Sequence, residues 1–175
     1  MLPEALAARG VSLRRETAED YGFLANLYIS VRWEELTPTG WPDAIKIEFL
    51  NSQFALQVKH YTTYYHDAVL SLVMVGEQPV GRLYLYRGAQ DLRIVDVSLV
   101  PQWRGRGLGT ALLAAVQDEA RPNGQSVSIH VEQDNPARSL YGRMGFHDVQ
   151  LKGVYWLMEW RSDAPSPSTP ISEAP

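Results

Sequence analysis

The stretch VSLVPQWRGRGLGTALL, residues 97–113, passes from an apolar segment through three alternate glycines into a run with helical spacing. A loop nearly free of side chains at the mouth of a helix has a specific use. The first turn of a helix offers backbone NH groups with no intrahelical acceptor and about half a positive charge, so it attracts phosphate oxygens. Gly105, Gly107 and Gly109 would let such a ligand reach the backbone, and Arg104 and Arg106 place charge at its rim. A tight strand-to-helix turn, with glycines that serve only packing, is the other reading of such a trio.

Two well-known phosphate loops do not match. A Walker loop follows its last glycine with Lys and then Ser or Thr, whereas Gly109 is followed by Thr110 and Ala111. A dinucleotide fingerprint has G-x-G-x-x-G early in a βαβ unit, and this loop is G-x-G-x-G in mid-chain.

Working outward, VSLRRET reads as a strand, and Thr17 with Asp20 forms a capping pattern for a helix to about Trp33. ELTPTGW breaks it, and Pro42 opens a second helix to about Tyr65. That helix carries two apolar stripes. Ile47, Leu50, Phe54, Val58, Tyr61 and Tyr65 form one, while Ile45, Phe49 and Leu56 begin another, which implies burial on two sides, a partner surface or a pocket wall. AVLSLVMV and VGRLYLYR read as a hairpin, LRIVDVSLV as a third strand leading into the glycine loop, and Leu108 onward as a helix stopped by RPNG. SVSIHV is a further strand, NPARSLYGRM a short helix from near Pro136, and FHDVQLKGVYWLMEW a closing hairpin around Gly153. The expected fold is α/β (or α+β), with a mixed, mostly antiparallel sheet of six or seven strands and helices on both faces.

With 175 residues the chain has room for one sizeable core, read here as a single domain over 11–160. Residues 1–10 read as a mobile lead-in, and the Pro/Ser-rich 161–175 as a disordered tail. A net charge of -4 argues against a protein that neutralises a nucleic-acid backbone, and no apolar run approaches the ~18 residues of a membrane span. No cysteine is present, which excludes disulfides, thiolate metal sites and a cysteine nucleophile and fits a cytoplasmic protein. No metal, nucleic acid or membrane is expected as a partner.

The spacing R-x-x-G-x-G at Arg104, Gly107 and Gly109, and the segment A-x-x-L-Y-x-x-x-G-F at Ala137, Leu140, Tyr141, Gly145 and Phe146, together resemble the GNAT superfamily of acyl-CoA-dependent N-acyltransferases. The resemblance covers roughly Val11 to Trp160, with one departure: the family's asparagine three residues before the alanine is Asp134 here, and Asn135 lies one position later. It implies acetyl-CoA as acyl donor, with pantetheine between the splayed strands RIVDVSLV and SVSIHV. Backbone at Leu99 and Val100 would pair with the pantetheine amides. Arg104, Gly105, Arg106, Gly107, Leu108, Gly109 and Thr110 would hold the pyrophosphate, Asn135 would touch the cofactor, and Arg138 and Arg143 are candidates for its 3′-phosphate. Tyr141 occupies the family's acid position. The general base has several candidates: Asp96, which interrupts an apolar strand and so faces the cleft or needs a buried partner such as an arginine; Glu132, which ends the neighbouring strand; and Asp91 in another register. His130 reads as structural. The acceptor is an amine, small or peptidic, with Glu34 and Glu35 as candidate attractors for it. A non-catalytic acyl-CoA-binding interaction module is the alternative, a different nucleotide-phosphate binder a more distant one, and the second helix makes a homodimer plausible.

Overall fold

The computed structural model describes residues 4–162. Seven strands form one sheet: β1 (Val11–Arg15), β2 (Val69–Val75), β3 (Gln78–Arg87), β4 (Asp91–Leu99), β5 (Ser126–Glu132), β6 (His147–Lys152) and β7 (Tyr155–Trp160). Their order is β1-β2-β3-β4-β5-β7-β6, and every neighbouring pair is antiparallel except β4–β5. Chain connection explains this. Gly76 and Gly153, both at positive φ, turn the β2–β3 and β6–β7 hairpins, whereas a helix over Leu108–Ala120 carries the chain from β4 back to the start of β5.

The helices are α1 (Glu4–Ala7), α2 (Tyr21–Arg32), α3 (Asp43–Tyr64), α4 (Leu108–Ala120) and α5 (Arg138–Arg143). Period-two alternation in the strands divides the apolar side chains between two cores. Leu72 and Met74 of β2 pack with Leu24, Ala25 and Phe54 from α2 and α3. Val73 points the other way and joins Leu83, Leu85, Leu92 and Ile94 beneath Leu112, Leu113 and Val116 of α4. Helices therefore cover both faces, as the sequence implied.

Several boundaries and contacts differ from expectation. The first helix begins as a 3-10 turn at Ala18–Asp20, where the Asp20 carboxylate accepts from the Thr17 NH at 2.8 Å, and it passes into a second 3-10 run, Trp33–Thr39, ended by Gly40. The short helix read from Pro136 starts at Arg138. Within α3, Leu50 and Phe54 are buried, but Ile47 is exposed with Ile45, Phe49 and Leu56, so one of the two apolar stripes has no covering element among the described residues. The described part of the lead-in is tied down instead of trailing: α1 inserts Leu6 into the α4-side core. Most of the expected tail, residues 163–175, lies outside the described residues.

Candidate active site

The site begins with a mismatch in strand register. Along the β3–β4 pair Tyr84 faces Asp96 and Leu85 faces Ile94, which leaves Val95 as an extra residue in β4. Such a bulge bends its strand. The parallel pairing of β4 with β5 stops at the same point, at Ile94 opposite Ile129, while β5 continues along β7 as far as Glu132. A wedge therefore opens between Asp96–Leu99 and His130–Glu132. Gly81 of β3 supports the bent segment: a Cβ there would collide with the Ser98 carbonyl and lie 3.1 Å from the Leu99 Cα. Gly81→Ala should lose roughly 1–3 kcal/mol of stability by overpacking, measurable by urea unfolding. An unchanged midpoint would mean that this close approach does not hold β4 in place.

Backbone direction decides which β4 groups face the wedge. The Val100 NH donates to Val80 O at 2.9 Å, and Val100 O accepts from the Trp103 NH at 2.9 Å, so Val100 is fully engaged inside the protein. Because antiparallel ladders alternate, Val97 and Leu99 turn their backbone groups away from β3 and toward the wedge. Of the expected pair, Leu99 faces the gap and Val100 does not; Val97 takes the second place. Arg104 Nε donates to Leu99 O at 2.8 Å and braces the turn into the loop.

The three glycines have different tasks. Gly105 and Gly107 sit at φ 70° and 74°, a region that other residues enter only under strain, and nothing lies within 4 Å of a Cβ built on either. Open space lies over both. Gly109 instead faces Leu140 Cδ2 at 3.6 Å and sets the contact between α4 and α5. The first helical bond of α4 runs from the Ala111 NH to Gly107 O at 3.0 Å, so the NH groups of Leu108, Gly109 and Thr110 are left without intrahelical acceptors. Leu108 is buried and pins the loop to the core. Arg106 lies over the Trp103 ring at 5.3 Å, and Arg9 Nη2 donates to Arg106 O at 3.0 Å. Arg9 was not among the expected site residues, and a contact spanning 97 positions leaves no local pattern to find it by.

Asp96 has the arginine partner its position called for. Arg82 Nη2 donates to Asp96 Oδ2 at 2.5 Å and to Gln57 Oε1 at 2.8 Å, and the Tyr61 hydroxyl donates to the same Oδ2 at 2.9 Å. Gln57 and Tyr61 are one turn apart on α3, so the helix grips the pair from both ends. Arg82 is only 3% exposed and lies against the Tyr84 and Tyr61 rings. Burial opposes its charge, but Asp96 holds the guanidinium protonated; burial and then Asp96 push the Tyr61 phenol above its ordinary value. Asp96 Oδ1, by contrast, accepts only from Ser98 Oγ, at 3.3 Å, among the described residues. Across the wedge Glu132 forms a two-point pair with Arg32 at 3.0 and 3.1 Å and accepts from the Tyr155 hydroxyl at 3.3 Å. Arg32 also binds Glu35, so this one guanidinium joins α2 and the 3-10 run after it to the end of β5, while Glu34 is exposed and accepts from the Thr37 hydroxyl.

Asp91 does not belong here. It accepts from Ser126 and Ser128 at the closed end of the β4–β5 pair, beside a polar hollow of about 560 Å³ away from the wedge. His130 is held below the usual imidazole value, first by burial and then by Arg93 and Lys152.

The ALYGF segment is explained by its contacts. Leu140 meets Gly109, Phe146 enters the α4-side core, and Gly145, at φ 84°, passes beside Trp160. These fix Tyr141, which is 5% exposed and whose hydroxyl has no hydrogen-bond partner among the described residues. Burial and the charge of Asp96 raise its pKa above the ordinary phenol value. Asn135 is engaged locally, its Oδ1 accepting from the Ala137 NH at 2.9 Å in the turn that leads into α5. Arg138 binds Asp148 at 2.8 Å and Gln133 O at 3.2 Å, which commits it to structure, whereas Arg143 is exposed.

Known proteins share this fold. The family model described as an acetyltransferase (GNAT) domain matches residues 42–154, well over half of the chain. A [ribosomal protein bS18]-alanine N-acetyltransferase of Haemophilus influenzae is 27% identical over 67 residues, 38% of this chain and 46% of that protein, so the match spans just under half of the relative's length. The solved structure of the PaiA N-acetyltransferase from Thermoplasma acidophilum with coenzyme A superposes with a TM-score of 0.64 at 16% identity, covering 86% of this chain and 98% of that one. A GNAT family acetyltransferase from Elizabethkingia anophelis with acetyl-CoA bound gives 0.57 at 14% identity, over 87% and 98% of the two chains. With the splayed strands, the glycine loop and the tyrosine helix all falling inside or beside the matched segment, the chain belongs to the GNAT acetyltransferase family.

Proposed function

We propose that the protein moves an acetyl group from acetyl-CoA to a primary amine by direct attack in a ternary complex. The observation that carries this reading is the wedge itself, with the Val97 and Leu99 backbone on the wall where β5 no longer pairs, helix-start NH groups without intrahelical acceptors and open glycines at one end, and a buried Tyr141 whose hydroxyl has no hydrogen-bond partner among the described residues. These features suit an amide-bearing chain that ends in a pyrophosphate. Acetyl-CoA, when bound, supplies an acyl group already activated as a thioester. Val97 and Leu99 would pair with the pantetheine amides, and the NH groups of Leu108–Thr110, with Arg106 and Arg9 beside them, would hold the pyrophosphate.

The proton steps fall to side chains. The amine must lose a proton, to Asp96 or Glu132, directly or through water. Asp96 is favoured by its two unequal oxygens: Oδ2 is anchored by Arg82 and Tyr61, and Oδ1, with one long bond from Ser98, is the available acceptor. Both oxygens of Glu132 are taken by Arg32. The Tyr141 hydroxyl would donate its proton to the departing sulfur. The name of the H. influenzae relative, an alanine N-acetyltransferase, supports an amine as the acceptor class. A cytoplasmic setting is part of the same proposal; among the described residues no helix is long and apolar enough to cross a membrane.

Calorimetry with acetyl-CoA should show micromolar binding, and an amine panel monitored by thiol release should reveal an acceptor. With that acceptor, Asp96→Asn should lower kcat by roughly 100-fold and Glu132→Gln by no more than about tenfold. The reverse order would move the base to Glu132, and absence of acetyl-CoA binding would defeat the reading altogether.

A further inference from the structure

The outward face of α3 carries a pattern that the proposed reaction does not use. Ile45, Phe49, Ser52, Leu56, Lys59 and Thr63 follow one another in steps of four, three, four, three and four, the seam spacing of a coiled coil. Ile45, Phe49 and Leu56 are 46%, 38% and 60% exposed, while Leu50 and Phe54 on the opposite face are buried. Trp41 meets the Phe49 ring edge-on at 5.6 Å and stiffens one end of the seam. The acidic and basic residues along this face are also separated. Glu48 lies in the first half of the helix and Lys59 in the second, both exposed and neither in an ion pair among the described residues.

We propose that α3 pairs with α3 of a second copy of this chain, antiparallel, about a two-fold axis between Ser52 and Leu56. In that register each seam position meets its complement: Ile45 the partner's Thr63, Phe49 the partner's Lys59, and Ser52 the partner's Leu56. Lys59 fixes the orientation. In a parallel pair the two ammonium groups would face each other, as would the two Glu48 carboxylates; antiparallel pairing lays the Lys59 stem on the partner's Phe49 ring and its charge beside the partner's Glu48. Ser52 and Ala55, both small and exposed, let the helix axes come close at the centre. A 22-residue helix is about 33 Å long, and a seam of that length buries on the order of 1,000 Å² in total, the low end for a specific interface. The dimer is therefore a small-interface one, whose affinity the area alone does not set. It leaves the wedge open, because Gln57 and Tyr61 reach Arg82 and Asp96 from the other side of the helix.

Sedimentation velocity of the full chain from about 1 to 200 μM should show a shift from the monomer mass to twice that mass. Leu56→Glu should stay monomeric throughout with an unchanged circular dichroism spectrum. Glu48→Lys should weaken dimerisation about tenfold, and adding Lys59→Glu should restore it to within about threefold. A wild-type monomer at 200 μM, or a Leu56→Glu dimer, overturns the interface. Failure of the charge swap to restore association overturns the antiparallel register.

Discussion

Gly107→Glu is expected to lower acetyl-CoA affinity at least about 100-fold while the protein stays folded. Gly107 is the residue before α4, at φ 74°, with its flank open to solvent. A Cβ there meets nothing within 4 Å, so the main cost to the fold is left-handed strain of about 1–2 kcal/mol. The cost to binding is larger. A carboxylate about 4 Å from a phosphate charge, at an effective dielectric near 20, opposes it by about 4 kcal/mol, and the same side chain fills the space the pyrophosphate needs. Gly109→Ala provides the contrast: its Cβ would sit at ordinary contact distance, 3.6 Å, from Leu140, so affinity should change by less than about threefold. Calorimetry on both variants, with thermal melts as a folding control, tests the division of tasks among the glycines. Equal losses at the two positions would contradict it.

Tyr141→Phe is expected to reduce kcat by roughly 100-fold or more with acetyl-CoA affinity nearly unchanged, because the ring that fills the core is kept and only the proton donor is removed. Burial and the Asp96 charge hold the phenol above its ordinary value, so the hydroxyl keeps its proton through neutral and mildly alkaline pH. The sign follows directly: a raised pKa leaves the donor form populated to higher pH, and no loss of kcat from this group should appear below about pH 10. A variant with full turnover would remove Tyr141 from the proton path. A wild-type protein that binds acetyl-CoA but acetylates nothing in a broad amine panel would favour an acyl-CoA-binding interaction module instead.

Much of this was legible in the chain because its signals are local. Glycine spacing, turn residues and period-two strands located nearly every element, and the R-x-x-G-x-G and ALYGF segments marked the loop and the tyrosine helix that the structure brings together across Gly109 and Leu140. What escaped depends on long-range pairing. Val97 replaces Val100 at the wedge because the bulge at Val95 and the Val100–Val80 bond fix the alternation, and a bulge has no sequence signature here. Asp96 was readable as a carboxylate that either faces the cleft or needs a buried partner such as an arginine, but not that Arg82 would be that partner or that α3 would send Gln57 and Tyr61 to hold the pair. Glu132 and Arg32 lie 100 residues apart, so nothing near either one announces the other. Asn135 and Arg138 read as cofactor contacts in the sequence, yet Asn135 accepts from the Ala137 NH in the turn before α5 and Arg138 pairs with Asp148.

The most direct test is a crystal structure of the full chain with acetyl-CoA. The account predicts pantetheine lying along Val97 and Leu99, pyrophosphate oxygens on the NH groups of the 105–110 loop, and the thioester sulfur within hydrogen-bonding reach of the Tyr141 hydroxyl. A cofactor bound elsewhere, or one whose sulfur lies far from Tyr141, would contradict it.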